Sequence, residues 1–591
     1  MDTSRHMTNL QVAKLLRAVA AAIELSSGDN RFRIVAYQRA ADAIEHSSSE
    51  VKDLWDDGNL KELAGVGEAI AGHLDELFKT GKVKHFEAIL KPFPPALFEL
   101  MEVPGIGPKT ALKFSKELGI TRAHSAIPEL LKAAKKGRID ERFIKAIEEY
   151  QGRSRRLLLD VAQTIADSIV GWMRKNPHVR EANTLGSLRR QASTVGDIDI
   201  AVASDHAKEV IEHFTKYPHK SRVLEAGVHT ASLILPNEYQ VDLMVQPPAA
   251  YGALLQHFTG SKHHNIKLRE YALKKGYSLS EYGITPRPST SLSNPSPIIG
   301  EGRKGEVLSF PTEEKFYNFL GLDWIPPELR EGENEIELAK LHQLPKLVEL
   351  SDIRGDLQMH SDFNIEPSHD LGLSSVDELC DKARELGYEY IGITDHNPAV
   401  SGHTQAQILD LIKKRTEVIQ FQKRAIHVFN SLEIDIQPIG KRALPDAALE
   451  LLDYACIAIH SSFRLSRKAM TDRVLSALDH PKVKFFAHPT ARLLGQREGV
   501  ELDWDRIFDF CVRNHKWLEI DGWPNRLDLP DVVAKDAIKY GVKLVVDTDS
   551  HAAGQLVYMR YGVSVARRAG AGKYDIINTG SLKEVISCLT K

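Results

Sequence analysis

Cysteine is scarce in this chain: four in 591 residues, Cys380, Cys456, Cys511 and Cys588, widely spaced and with no C-x-x-C pair. That excludes a disulfide-built scaffold and cysteine zinc knuckles, and a reducing, cytoplasmic setting is expected. Long apolar runs are also missing. Nothing approaches the roughly 18 residues of a membrane span, and the opening MDTSRHMTNLQVAKLL lacks the apolar core of a signal peptide. No membrane partner is expected. Charge of one sign is not in excess either, since 77 Lys and Arg stand against 80 Asp and Glu for a formal net charge of −3. A uniformly basic coat for nucleic acid is thereby excluded, while local patches are not. No heptad or symmetric interface pattern stands out, and a monomer is expected. What is present is ordinary globular material, 42% hydrophobic and 27% charged. One core does not usually serve so long a chain, so three to five structural units are expected.

From Leu10 to about Tyr150 the pattern is almost wholly helical, broken at Gly, Pro and Ser clusters. Two breaks resemble each other: LAGVGEAIAGHLDEL and VPGIGPKTALKFSKEL both read apolar-x-G-apolar-G before a helix. Gly65 and Gly67 in the first, and Gly105 and Gly107 in the second, permit a tight turn. Free N–H groups of the turn and the following helix then face outward toward a phosphate, with Lys109 beside the second turn. Such a helix-hairpin-helix clamps a nucleic-acid backbone without reading its sequence. Charge supports the same reading: from Pro104 to Arg190 there are 18 Lys or Arg against 9 Asp or Glu, a local excess of +9. That is the footprint a polyanion requires.

After a long helix, RSRRLLLDVAQTIADSIVGWMRKN, strands alternate with helices: VREANTLG, DIDIAVAS, ASLILP and YQVDLMVQ. In DIDIAV, Asp197 and Asp199 lie two apart, so their carboxylates share one face of a strand. Like charges side by side are expensive unless a cation sits between them. Asp242, flanked by apolar residues in YQVDLMV, is a third such acid. Three carboxylates can hold two Mg²⁺ ions, one activating a hydroxyl and one bridging phosphates. Just upstream, GSLRR offers a strand-to-helix turn in which Ser187 and Arg190 can grip a triphosphate.

The ordered run G-S-L-R-R, G-D-I-D-I, V-D-L and F-T-G-S-K-x-x-N resembles the palm and thumb of family X DNA polymerases. The resemblance spans about residues 8 to 325, with the two hairpins matching that family's lyase-like and fingers domains. It implies that Asp197 and Asp199 bind both catalytic metals, Mg²⁺ or Mn²⁺, and that Asp242 helps activate a primer 3′-hydroxyl. Gly186, Ser187, Arg190 and Gly196 would hold the triphosphate of a dNTP. Phe258, Gly260 and Asn265 would meet its sugar and base, and Arg269 the template side. Three positions depart from the family: Met244 replaces an arginine, His257 a tyrosine, and His73 the lysine that forms a Schiff base in lyase-active members. An imidazole cannot form that imine, so deoxyribose-phosphate lyase activity is expected to be weak or absent.

In the C-terminal half, potential ligands fall where apolar strands stop: His360, His396, Glu433, His460, His488, Asp549 and His551. Imidazole mixed with carboxylate suits Zn²⁺, Mn²⁺ or Fe²⁺, and clustered metals suit phosphate-ester hydrolysis. Repeated strand–helix units suggest an α/β barrel. These motifs resemble the PHP (polymerase and histidinol phosphatase) domain from about Asp352 onward, which implies a manganese-dependent 3′–5′ exonuclease or 3′-end-processing phosphodiesterase. The opening H-x-H of metal-competent members reads Gln358-Met359-His360 here. The S-D-G that follows in the family is also altered, leaving Asp362, Glu366 or Asp370 as sources of its carboxylate.

The expected fold class is therefore multidomain: all-α helix-hairpin-helix units, an α+β nucleotidyltransferase palm and thumb, and an α/β PHP barrel. Expected boundaries are 1–80 for the lyase-like domain, 81–150 for the fingers, 151–245 for the palm, 246–325 for the thumb, 326–350 for a linker and 351–591 for the PHP domain. The expected activity is template-directed filling of short gaps in primed or gapped duplex DNA. Alternatives are a nucleotidyltransferase working without a template and a DNA-end-binding scaffold with impaired centres.

Overall fold

The computed structural model describes residues 9–26, 31–45, 51, 55, 60, 66–103, 105–122, 126–140, 143–144, 147, 156–236, 239–287, 307–421, 424–494, 497 and 499–590. Helices Asn9–Ser26, Arg31–Glu45, Glu68–Thr80 and Lys84–Leu90 gather around Leu16, Val19, Ile44, Leu74 and Phe86. A second cluster of Leu97, Leu100, Phe114, Leu130 and Phe143 holds Pro95–Leu100, Pro108–Leu118 and Ala126–Lys135. The two expected hairpin turns match closely where they are described. Gly67 precedes its helix at φ −79°, ψ 174° and Gly107 at φ −79°, ψ 173°, neither helix having a side-chain cap. First-turn N–H groups are thus left for an outside acceptor. Gly105 takes φ +82°, where a side chain would be strained, and Gly65 lies outside the described residues.

The palm begins differently from expectation. Leu157 is buried and pairs with Val195, so strand β1 (Leu157–Leu158) runs against β3 (Thr194–Val195), and the helix read from Arg153 starts only at Leu159. The central sheet combines β2 (Glu181–Thr184), β4 (Ile198–Ala203), β5 (Arg222–Ala226), β6 (Thr230–Ile234) and β7 (Gln240–Gln246) in the order β2-β4-β7-β6-β5. The β4–β7 pair is parallel and its neighbours are antiparallel. Strand β5 carries no alternating apolar pattern because it is the solvent-facing edge, and sequence periodicity therefore misses it. Helices Leu159–Met173 and Ala207–Phe214 bury Ala162, Ile169, Val210 and Phe214 in the core that also takes Ile198, Ile200 and Leu243 of the sheet.

The thumb packs helices Tyr251–Thr259, Lys262–Lys274 and Glu313–Phe319 with the hairpin of β8 (Tyr277–Ser280) and β9 (Gly283–Pro286). The stretch expected as a linker is not loose. Ala339 enters the thumb core with Leu329 and Ile336 packed against it, and Arg330, 0% exposed, donates from Nη1 to Glu313 Oε1 at 2.6 Å. Its prolines and charges look like a connector because the charges are satisfied by partners distant in sequence.

In the last domain, β10 (Gly355–Met359), β11 (Tyr390–Ile393) and β12 (His427–Asn430) form one parallel sheet. Strands β13 (Glu433–Asp435), β14 (Ala455–Ala458), β15 (Val483–Phe486), β16 (Trp517–Asp521) and β17 (Lys543–Asp547) form another. Parallel bridges at His396–Glu433 and Met359–Ser550 join the two at both margins and close a barrel. HVFNSLEIDI, read as one strand, is split at Ser431–Leu432, so Glu433 opens β13 instead of ending a strand. Helix Leu582–Leu589 covers one end over Leu357, Tyr390, Tyr454, Phe485 and Trp517.

Candidate active sites

The first site is built where parallel strands β4 and β7 present Asp199 and Asp242 as register partners. Asp197 immediately precedes β4 and is exposed. Burial first, and then the charges of Asp242 and Asp197, push the Asp199 carboxyl up to about 7. Asp242 is held by Gln240 Nε2, which donates to its two oxygens at 3.0 and 3.1 Å, and by the Ser232 hydroxyl. A buried carboxyl whose charged form is penalised in this way, set beside two further acids, suits a cation. Gly186 abuts it: a Cβ there would stand 2.7 Å from Asp199 Oδ2, and φ is +57°. Only glycine lets the phosphate turn approach so closely.

Around this pair the expected nucleotide residues take three kinds of position. Ser187 sits half-buried in the turn after Gly186, and Gly196 precedes Asp197. Arg190 is engaged by the protein itself; its Nη1 donates to Thr259 O at 2.6 Å and its Nε to Glu331 Oε1 at 3.2 Å. The arginine therefore ties the phosphate turn to the F-T-G-S run, where Gly260 takes φ +66° and Phe258 is half-buried. Asn265 donates from Nδ2 to His257 O at 2.7 Å and accepts from Gln256 Nε2 at 2.8 Å, both partners on the neighbouring helix. Arg269 and Lys109 are exposed. Sequence reasoning missed Arg156, which donates to Thr194 Oγ1 at 2.7 Å and Thr194 O at 2.6 Å. The charge of Asp197 acts on this arginine, and its Nη1 would lie 3.4 Å from a Cβ on Gly196. Its signal, the basic R-S-R-R run, reads only as bulk charge without the fold.

The second site lies at the barrel mouth, where all seven expected ligands converge. Ligand atoms of three sets lie within 4.8 Å of one another: His360, Glu433 and Asp549; His396, Glu433 and His460; and His360, His396 and His551. His488 Nε2 lies 2.8 Å from Glu433 Oε1. Glu433 Oε2 stands 3.3 Å from His360 Nε2 and 3.4 Å from His396 Nδ1 yet makes no hydrogen bond. Burial would raise Glu433, but His396, His460 and His488 hold it well below the usual carboxylate range. Burial likewise opposes charge on His360, but Asp549 and Glu433 outweigh it and lift the ring to about 10. Buried imidazole and carboxylate ligand atoms gathered within 4.8 Å of one another, Glu433 Oε2 among them without a hydrogen bond, fit divalent cations.

In the altered loop Asp370 approaches the histidine cluster and Glu366 does not. Asp370 Oδ1 lies 3.5 Å from His396 Nε2 and its Oδ2 lies 3.3 Å from His551 Nε2. Glu366 turns away to His403 at 2.9 Å. Gln358 is fully buried, with Nε2 3.5 Å from Asp549 Oδ1 and with Oε1 making no hydrogen bond. Two further residues escaped the sequence reading. Asp435 accepts from His460 Nδ1 at 2.7 Å and lies 3.0 Å from His369 Nε2, an arrangement that fixes the tautomer of His460 and turns its other nitrogen toward Glu433. The only hint was spacing, since Asp435 stands two residues beyond Glu433.

Comparison with known proteins identifies the family. Family models match for a helix-hairpin-helix domain at residues 7–83, the DNA polymerase beta thumb at 254–331 and a PHP domain at 356–520. The chain is 32% identical to the DNA polymerase/3′-5′ exonuclease PolX of Bacillus subtilis (strain 168), across 99% of this chain and 100% of that one. It belongs to the family X DNA polymerases that carry a PHP domain. Toward DNA polymerase lambda it is 26% identical for the Arabidopsis thaliana protein, over 56% of this chain and 62% of that one. For the Rattus norvegicus protein the identity is 24%, over 55% and 56%. Membership brings a dependence on divalent metal and binding to DNA. In the N-terminal domain His73 is packed between Tyr37 and His85, with ring centroids at 6.5 and 5.0 Å. Met244 lies partly buried against the cluster of Leu185, Ala201 and Tyr251, an apolar setting. No described helix is long and apolar enough to cross a membrane.

Proposed function

We propose that this family X enzyme fills short gaps in duplex DNA by adding dNTPs to a primer 3′-end, and that its PHP barrel trims or cleans 3′-ends. The observation that carries the polymerase reading is the Asp199–Asp242 pair set against the Gly186 turn. Asp197, Asp199 and Asp242 hold Mg²⁺ or Mn²⁺, which activates the 3′-hydroxyl and neutralises phosphate charge. Gly186, Ser187, Arg190 and Gly196, joined by Arg156, take the triphosphate. Phe258, Gly260 and Asn265 shape the space for sugar and base. Arg269, the hairpin glycines Gly65, Gly67, Gly105 and Gly107, and Lys109 take the DNA backbone. His360, His396, Glu433, His460, His488, Asp549 and His551, with Asp370, hold Mn²⁺, Zn²⁺ or Fe²⁺ for phosphodiester hydrolysis. The four unpaired cysteines agree with a reducing cytoplasm, and the chain acts as a monomer.

Primer extension on a gapped duplex tests this, using the parent and the Asp197→Ala, Asp199→Ala double variant. Template-dependent extension by the parent alone is expected. Extension without a template would favour the untemplated nucleotidyltransferase. DNA binding with no extension by either protein would favour the scaffold.

A further inference from the structure

Arg190, the arginine assigned above to the triphosphate, is held partly by the PHP domain. Arg568, in the last turn of helix Met559–Arg568, donates from Nη1 to Arg190 O at 2.9 Å and to Glu331 Oε1 at 2.8 Å. Its Nε donates to Asp531 Oδ2 at 2.7 Å, in the first turn of helix Asp531–Tyr540. Glu331 Oε1 is thus shared by two guanidinium groups, one from the polymerase half and one from the barrel. Both are largely buried, with side chains 15% and 10% exposed. The contact does not stand alone: Ser564 Oγ donates to Gln191 Oε1 at 3.0 Å, and Arg567 Nε to Glu328 Oε1 at 2.7 Å.

We infer that Arg568 of the PHP domain is a positioning residue for nucleotidyl transfer, one that holds Glu331 so that Arg190 can leave it for an incoming triphosphate. The reason is electrostatic. When Arg190 turns toward a nucleotide, the partly buried Glu331 carboxylate loses one of the two guanidinium groups on its Oε1, and without Arg568 it would lose both, a costly outcome. Arg568, braced by Asp531, remains on the same oxygen and removes that cost. It also fixes the carbonyl of Arg190 itself, so the guanidinium swings from an anchored backbone. A planar, always-charged fork that reaches three separate acceptors suits the task better than lysine.

The inference rests on the assignment of Arg190 to the triphosphate, and steady-state gap filling by the full-length protein separates the two. Arg190→Ala should raise KM for dNTP; if it does not, the assignment and the inference fall together. Arg568→Ala should raise KM about ten-fold, the size of one lost charge-assisted hydrogen bond, with kcat within about three-fold. Arg568→Lys should fall between, which keeps the test open should the alanine variant fold poorly. The discriminating result is rescue: adding Glu331→Gln to Arg568→Ala removes the stranded carboxylate and should bring KM back near the parent value. An unchanged KM in both Arg568 variants, or no rescue by Glu331→Gln, would overturn the coupling while leaving the assignment of Arg190 intact.

Discussion

Asp199 and Asp242 meet as register partners across two parallel strands, with Gly186 packed so closely against Asp199 that any side chain would strike its carboxylate. Four predictions follow from this and related geometry.

The first concerns pH. With Asp199 pushed up to about 7, the metal-free site is protonated below neutrality, and a cation must displace that proton to bind. The Mg²⁺ concentration for half-maximal extension should fall as pH rises from about 6 to 8, by up to roughly ten-fold per unit below the pKa. For stability the sign is opposite. A carboxyl raised in the folded state favours the native protein at low pH, and the benefit disappears as pH rises from the unfolded value through about 7. Asp199→Asn should therefore raise the unfolding midpoint in chelator at pH 8 while abolishing extension. A midpoint unchanged or lowered would contradict the assignment.

Gly186→Ala should cost at least about 100-fold in extension without unfolding the protein. The new methyl meets Asp199 Oδ2 at 2.7 Å and sits at φ +57°, so the turn or the carboxylate must move. Circular dichroism and single-turnover extension on the same sample would check both halves of the statement.

At the barrel, Asp370→Ala should remove one equivalent of tightly bound divalent metal and lower phosphodiesterase rate, because Asp370 faces both His396 and His551. Gln358→His should act in the other direction, tightening Zn²⁺ or Mn²⁺ about 10- to 100-fold by placing imidazole beside Asp549 in place of an amide. Elemental analysis after dialysis and competition with a chromogenic chelator would measure both. Glu366→Ala, which pairs with His403 instead, should change neither.

Borohydride trapping on incised abasic DNA should yield no covalent adduct, since His73 has no amine to form an imine. Burial, and then the charge of His85, depress this ring, so it is neutral near pH 7. His73→Lys should produce an adduct, provided the ammonium loses its proton in the same partly buried setting. A strong adduct with the parent protein would show that another amine serves.

Much of this protein is set locally. The two-residue spacing of Asp197 and Asp199, the first just ahead of β4 instead of on it as expected, the paired G-x-G turns and the apolar strands ending in His or Asp are patterns of two to five residues. Short-range periodicity dictates which face a side chain takes, and that is enough to read fold class and most ligands. Long-range pairing decided the rest. Asp242 joins Asp199 only because β4 and β7 are adjacent and in register, and Asp370 comes beside His396 and His551 only because the loop folds back on them. Arg156 and Asp435 became visible once their partners, distant or out of pattern, were in place. Arg190, legible as a cation for phosphate, proved to be shared with a carboxylate and an arginine more than a hundred residues away in sequence. Sequence patterns fix which face of an element a residue occupies, whereas charge pairing between elements depends on which surfaces meet, and only the tertiary structure decides that.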